Sequence, residues 1–207
     1  APGRPNPLRD ARVRRALWMA VDIETIHRRV MRAKSRNVGT LVAPPVPGYS
    51  AALDQPMRHD PEGARRLLQE AGAAGMRVRL NCSNDRYIAD EQTCVAIAGM
   101  WSRVGVDVDL QIESRTTYFP KLDRGETDIY MLGWATLPPM DGFSVLSSLL
   151  ATRGGSLGGN NPNGLSDPRH DALTASAATE MNEERRRAML TDALRIVRED
   201  VLYLPLH

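Results

Sequence analysis

Two strand-like segments separated by a helical one constrain the fold of this 207-residue chain more than any other feature. Apolar side chains alternate with polar ones over residues 76–82 and again over residues 106–112. A period of two is typical of strands that bury one face. The residues between them, including Ile88 and Trp101, follow a helical pattern. A strand, a helix and a second strand at this spacing predict a right-handed parallel β-α-β unit.

Four polar residues mark where other helices begin. Asp10, Asp60, Asp167 and Asn182 each precede an apolar stripe of helical period, and proline follows two of them directly. Such side chains accept hydrogen bonds from the free amides of a first helical turn, and proline at the first position loses none. Residues 143–150 are also predicted to be helical.

A compact apolar run, Asp128 to Trp134, predicts a buried strand that opens into the loop of residues 135–139. Ligands of open α/β sheets usually bind in loops at the carboxyl ends of strands. This loop is therefore the first candidate binding site.

The composition is that of an ordinary globular protein and excludes several classes of partner. The formal charge is +2, from 27 basic and 25 acidic residues, and no dense basic block is present, so no nucleic-acid partner is expected. No stretch reaches the roughly 20 apolar residues that cross a bilayer.

Cys82 and Cys94 are 12 residues apart, one near the end of a predicted strand and one in the following helix. Spacing alone does not show whether their Cα atoms come within bonding range. A disulfide and two buried thiols both remain open. Neither cysteine has a partner at zinc-ligand spacing.

The sequence contains no convincing catalytic, metal-binding or cofactor-binding motif. Residues 154–158 match G-x-S-x-G around Ser156, but they lie in a segment of 12 residues, 153–164, with five glycines and three asparagines, without the strand and helix that expose a nucleophilic serine. The four histidines are scattered, and no phosphate-binding glycine motif is present. We expect no enzyme activity, no metal and no cofactor.

Three segments in fixed order carry a family resemblance. They are Leu8–Leu17 with the Ala20–Asp22 step after it, Asp60–Leu68 and Asp128–Trp134. Together they resemble the C-terminal lobe of the extracytoplasmic solute-binding proteins of ABC importers, family 5, the peptide- and nickel-binding type. The resemblance implies an α/β fold, one lobe of a type II periplasmic-binding-protein-like fold with a mixed sheet flanked by helices. It also implies that residues 1–207 are a fragment of a larger two-lobed protein. Residues 202–206 are then expected to form the strand on which the chain leaves this lobe.

The resemblance also indicates site residues, of which Trp134 is the direct motif match. In the family, two lobes close on the ligand, and the loop after this tryptophan contributes to the cleft between them. Thr136 and Leu137 lie in the corresponding loop of this sequence, residues 135–139. Peptide-binding members commonly place an acid three positions after this tryptophan, where Leu137 stands here, so generic peptide binding is in doubt. Asp141 either takes that role or caps the next helix.

Four further residues are weaker candidates for ligand contact. Asn160 and Asn161 offer uncharged hydrogen bonds, although turn geometry explains asparagine in such a run equally well. Arg115 and Tyr118 follow the second alternating strand and are expected to face the cleft.

The leading hypothesis is capture of a short peptide or peptide-like, amino-acid-derived ligand in the periplasm or at the cell surface. The partners are then the ABC permease and the missing N-terminal lobe, and lobe closure is the working motion. One alternative is the solute-sensing domain of a cytoplasmic transcription regulator. Another is a serine hydrolase that uses Ser156.

Overall fold

Three parallel strands surrounded by helices organise the protein, which is represented by a computed structural model. It describes residues 6–136, 140–162 and 164–207. In chain order its elements are α1 (Ala11–Met19), α2 (Ile23–Thr25), α3 (Pro61–Glu70), β1 (Arg77–Ser83), α4 (Asp90–Arg103), β2 (Asp107–Glu113), α5 (Arg115–Asp123), β3 (Ile129–Tyr130), α6 (Phe143–Val145), α7 (Pro168–Thr179) and α8 (Glu183–Glu199). A 3-10 turn, Pro7–Arg9, precedes α1, and π-helical turns, Ile26–Val30 and Leu146–Leu150, extend α2 and α6.

The predicted helix starts are confirmed, because each polar residue caps the helix that follows it. The backbone N–H groups of Arg12, Gly63, Arg169 and Arg185 donate to the side chains of Asp10, Asp60, Asp167 and Asn182 at 2.8–3.0 Å. These bonds satisfy amides that have no partner within the helix.

The predicted parallel β-α-β unit is confirmed. The strand order is β2-β1-β3, and all three described strands are parallel. β1 and β2 pair from Arg77 opposite Asp107 to Ser83 opposite Glu113. The apolar side chains of β1 pack against α4 and α1, whereas Arg79 and Asp109 form a 3.2 Å ion pair on the other face.

A disulfide links the sheet to its crossover helix. Cys82 on β1 and Cys94 on α4 are bonded, which resolves the alternative that their spacing left open. Both side chains are fully buried.

The buried apolar residues form two clusters. The first brings together α1, α3, α4 and the sheet, and the second brings together α6, α7, α8 and the long connection before α3. Partly buried residues of the C-terminal segment contact both clusters: Leu204 and Leu206 pack on the first, and Leu202 and Tyr203 on the second.

Three expectations about element bounds were wrong. The run 128–134 pairs only through Ile129 and Tyr130 and is partly buried, because β3 lies at the edge of the described sheet and has one strand neighbour. Residues 202–206 form no described strand and are held by side-chain contacts with the two clusters. Helix α4 begins at Asp90, after a left-handed residue, Ala89, and leaves Ile88 83% exposed.

Candidate functional site

The carboxyl ends of the parallel strands converge on one edge of the sheet. The turn of residues 84–89 leaves β1 there, α5 begins directly after β2, and the segment 131–136 leaves β3. This is the edge at which open α/β sheets bind ligands.

Trp134 lies at this edge with its indole open to solvent. It is 41% exposed, whereas Trp18 and Trp101 are 1% and 2% exposed in the core. Exposure of so large an apolar ring is unusual unless a partner or ligand covers it. Trp134 is therefore not part of the core.

A cavity of about 290 Å³ adjoins the Trp134 indole. Its lining brings together Tyr87, Phe119 and Tyr130, which are aromatic, and Arg86, Asp123 and Arg153, which are charged. Asn160 reaches it from the glycine-rich loop. Two predicted site residues, Trp134 and Asn160, thus meet in one cavity with several residues that the sequence did not single out.

The charges in this cavity are mainly positive. Neither Arg86 nor Arg153 forms a salt bridge with a described residue, and the Arg86 guanidinium lies 5.1 Å from the centre of the Tyr87 ring. Arginine presents a planar fork of donors that matches a carboxylate. The cavity thus offers aromatic surface, two guanidinium groups and one carboxylate, that of Asp123.

Two predicted site residues serve the protein's own backbone. Tyr118 is fully buried, and its hydroxyl donates to the Met131 carbonyl, so the expectation that it faces the cleft is wrong. Asn161 is 1% exposed, and its amide bonds the backbones of Ala151 and Leu165 at 2.7–2.9 Å. Turn geometry, the alternative for Asn161, is the interpretation that these contacts favour.

Asp141, Arg115 and Thr136 do not line this cavity. Asp141 accepts from the Phe143 N–H at 2.9 Å and pairs with Arg186, as expected of a helix cap. Arg115 is exposed at the start of α5, and Thr136 is partly buried. Leu137 lies outside the described residues.

Three tyrosines lie at or beside β3 in buried surroundings. Burial raises the pKa of Tyr118 and Tyr203 far above the ordinary value, and it raises the pKa of Tyr130 despite the Tyr203 hydrogen bond. The Tyr130 and Tyr203 hydroxyl oxygens are 2.6 Å apart. The Tyr130–Tyr203 hydrogen bond ties the C-terminal segment to β3.

A larger hollow, of about 1360 Å³, lies between the two apolar clusters. Leu80 and Ile97 of the first cluster and Val145 and Leu149 of the second line it, together with residues 202–207. It also reaches Trp134, so the indole stands between the two hollows.

Among the residues that the structure covers, no three or more His, Cys, Asp or Glu side chains group as metal ligands. Ser156 is exposed in a tight turn bridged by Gly154 and Leu157. In the described part of the chain, no helix is long and apolar enough to cross a membrane.

The family is decided by a match over most of the sequence. Residues 3–156 match the family described as "Bacterial extracellular solute-binding proteins, family 5 Middle". The chain belongs to this family.

Curated family 5 relatives resemble the chain over nearly its whole length. The probable deoxycholate-binding periplasmic protein YgiS of Escherichia coli is 27% identical over 97% of this chain and 37% of its own length. The dipeptide-binding protein of E. coli is 28% identical over 87% of this chain and 34% of its own length. The chain therefore spans little more than a third of these relatives.

Solved structures show the same fold. The periplasmic binding protein DppA of Helicobacter pylori, in complex with the peptide STSA, has a TM-score of 0.83 at 20% identity, over 96% of this chain and 38% of its own. A solved peptide-binding protein of a peptide ABC transporter has a TM-score of 0.79 at 17% identity, over 99% of this chain and 94% of its own. These similarities confirm the α/β fold of a type II periplasmic binding protein. The proteins named here are binding proteins, so they support neither the regulator nor the hydrolase alternative.

Sequence reasoning missed Arg86, Tyr87, Asp123 and Arg153. The signal for the first two was present, since they follow the first alternating strand directly, where a carboxyl-end loop is expected. Asp123 and Arg153 come from a helix end and a glycine-rich loop, and only the tertiary structure brings them to the cavity.

Proposed function

We propose that this chain, residues 1–207, is one lobe of a two-lobed protein that captures a solute for an ABC importer. The ligand is a short peptide or a peptide-like, amino-acid-derived molecule. The observation that carries the proposal is the exposed Trp134 indole beside a cavity at the carboxyl end of the sheet. Capture is non-covalent, and no bond is made or broken.

The side chains around the cavity suit such a ligand. The Trp134 indole offers an apolar face and an N–H donor, and covering a ring of this size contributes roughly 1.5–3 kcal/mol. Arg86 and Arg153 are suited to a carboxylate, and the Asn160 amide to a peptide-like group.

The exposure of the Trp134 indole supports the proposal that a second lobe completes the site. A solute that touches only this lobe keeps much of its surface in water, whereas ligand pockets usually bury most of the ligand. Closure of a facing lobe on the Trp134 side would remove that water and shift the protein toward its closed form. The large hollow between the apolar clusters is where we place contacts with the rest of the protein.

The partners follow from this role. The closed, loaded form is recognised by the transmembrane subunits of an ABC permease, and the protein works in the periplasm or at the outer face of the membrane. The periplasmic relatives support this location.

The ligand is best identified with the full-length gene product, purified under native conditions and analysed by native mass spectrometry. We expect a retained molecule that contains amino-acid units and a carboxylate. Retention of a sugar or of a purely hydrocarbon ligand would refute the proposed ligand class. A protein that retains no ligand and binds no member of a dipeptide library would contradict the proposed role in solute capture.

Trp134→Ala in the same protein tests the site. We expect it to weaken binding of the identified ligand at least about tenfold and to leave the melting temperature almost unchanged. Met181→Ala is the matched control, because Met181 is an exposed apolar residue, 92% exposed, that lines neither hollow. Unchanged affinity with a lowered melting temperature would show that Trp134 is structural.

A further inference from the structure

The turn of residues 84–89, between β1 and α4, supplies Arg86 and Tyr87 to the small cavity. We propose that Asp90 is a positioning residue for this site: its buried carboxylate holds the turn so that Tyr87 packs on Gly133 and fixes the segment that carries Trp134. The proposal rests on the proposed function in taking this cavity as the solute site.

The Asp90 carboxylate is buried and accepts four hydrogen bonds. Asp90 is 3% exposed. Its Oδ2 accepts from the Ser83 hydroxyl at 2.9 Å and from the backbone N–H groups of Arg86 and Tyr87 at 3.0 Å, and its Oδ1 accepts from the Glu91 N–H at 2.9 Å. One side chain therefore joins the end of β1, the turn and the first residues of α4.

These bonds keep the carboxylate charged. Burial by itself would raise the pKa of Asp90, but the hydrogen bonds from Tyr87, Arg86, Ser83 and Glu91 together lower it below its ordinary value. Bonds from donors to a charged acceptor are stronger than those between neutral groups. Asp90 is thus a firm anchor for the backbone at Arg86 and Tyr87.

The turn needs such an anchor because its last residue is strained. Ala89 has φ of +53° and ψ of +34°, in the left-handed region, which costs a residue with a Cβ about 1–2 kcal/mol. Without the Asp90 bonds, relaxing Ala89 out of the left-handed region lowers the free energy of the backbone. The turn then changes its conformation. The strain and the buried anchor occur at adjacent positions.

The turn is also tied to the other strand loops. The Asn84 N–H donates to the Glu113 carbonyl at 3.0 Å, and the Arg115 N–H donates to Asp85 Oδ1 at 2.6 Å. These contacts fix its first half against β2 and α5. Asp90 fixes its second half, which faces the cavity.

Tyr87 transmits this position to Trp134. A Cβ atom placed on Gly133 would be 2.7 Å from Tyr87 Cε1, so the ring occupies the space that a side chain would need. The Tyr87 hydroxyl also lies 3.4 Å from the Gly133 carbonyl oxygen. Gly133 directly precedes Trp134, so movement of the Tyr87 ring releases the backbone that orients the indole.

The experiment compares Asp90→Ala, Asp90→Asn and Tyr87→Ala with the unsubstituted protein. Asp60→Ala is the matched control, because Asp60 also caps a helix, accepting from the Gly63 N–H at 2.8 Å, and lines neither hollow. In Asp90→Asn, the side-chain carbonyl can still accept from Ser83, Arg86 and Tyr87, but the amide NH2 group faces the Glu91 N–H. We therefore expect the effect of Asp90→Asn to lie between that of Asp90→Ala and the unsubstituted protein.

The first readout is amide hydrogen exchange. In Asp90→Ala we expect exchange to accelerate at least about tenfold at Arg86 and Tyr87, because each loses a bond to a charged acceptor. We also expect faster exchange in residues 131–136, with α7 and α8 unchanged. Tyr87→Ala, which leaves Asp90 in place, should reproduce only the change in residues 131–136.

The second readout needs no solute. Trp18 and Trp101 are buried, and the difference in acrylamide quenching between each protein and its Trp134→Phe counterpart isolates the contribution of Trp134 from that of any other tryptophan. We expect the Trp134 quenching constant to change in Asp90→Ala and Tyr87→Ala, to change less in Asp90→Asn, and to stay constant in Asp60→Ala.

The outcomes separate this inference from the proposed function. Faster exchange confined to residues 84–91, with Trp134 quenching unchanged, would make Asp90 a local cap and overturn the positioning role. If Asp90→Ala fails to fold, Asp90→Asn and Tyr87→Ala still test the positioning role. Unchanged Trp134 quenching in both of these variants would refute the proposal. Neither measurement depends on what the cavity binds.

Discussion

Arg186 of α8 and Asp141 form a 2.7 Å ion pair that ties the segment before α6 to the last long helix. The other oxygen of the same carboxylate accepts from the Phe143 N–H. Both oxygens of Asp141 therefore have partners within the protein, and neither residue lines the small cavity.

Substituting Asp141 tests whether it stabilises the fold or binds solute. Asp141→Ala removes a helix cap and a half-buried ion pair, which together contribute about 1–2 kcal/mol. We expect the melting temperature to fall by a few degrees and solute affinity to stay constant. Arg186→Met keeps the cap but removes the pair together with the Arg186 hydrogen bond to the Ala177 carbonyl, so it should also lower the melting temperature and leave solute affinity constant. Weaker binding at an unchanged melting temperature would instead assign Asp141 to the ligand.

Gly133→Ala is expected to disturb the site more than the fold. The added Cβ displaces the Tyr87 ring, whose nearest atoms would lie at 2.7 and 2.9 Å. Isothermal titration with the identified solute should show at least about fivefold weaker binding. The control is Gly99→Ala in α4, where a Cβ meets no atom within 4 Å and helix propensity favours alanine. Equal affinity in the two variants would contradict the packing argument.

Removing the disulfide should destabilise the first apolar cluster. In a Cys82→Ala, Cys94→Ala double variant we expect the free energy of unfolding to fall by about 2–4 kcal/mol, because the unfolded chain regains the freedom of the closed loop. Urea denaturation measures the change. Wild-type protein unfolded in the presence of a reductant should show a matching loss. A double variant as stable as the oxidised protein would refute the prediction.

His170 should make stability depend on pH near neutrality. The side chain is fully buried, and burial lowers its pKa below the ordinary 6.5, although Asp171 and Asp167 oppose the shift. The unfolded chain then binds a proton that the folded chain resists, so stability falls as pH decreases through about 6.5 toward 5.

His170→Leu checks this assignment. Urea unfolding at pH 7.5 and at pH 5 should show a smaller stability loss in the variant than in the wild type. An equal loss in both proteins would mean that other groups cause the pH dependence.

The sequence by itself determined the local elements and the family. The caps at Asp10, Asp60, Asp167 and Asn182 and the two alternating strands depend on interactions within a few residues, so the pattern was sufficient to predict them. The segment ending in Trp134 also placed the candidate site at a strand end, because parallel strands share one carboxyl edge.

Tertiary structure decided which side chains reach the cavity. Tyr118 and Asn161 are polar residues near the site, but their side chains form hydrogen bonds with backbone groups that lie 4 to 13 residues away. Arg153 and Asp123 reach the cavity from separate segments. The cysteine spacing likewise allowed a disulfide, but only the packing of α4 on β1 brought the two sulfurs together, because bonding depends on distance in space and not along the chain.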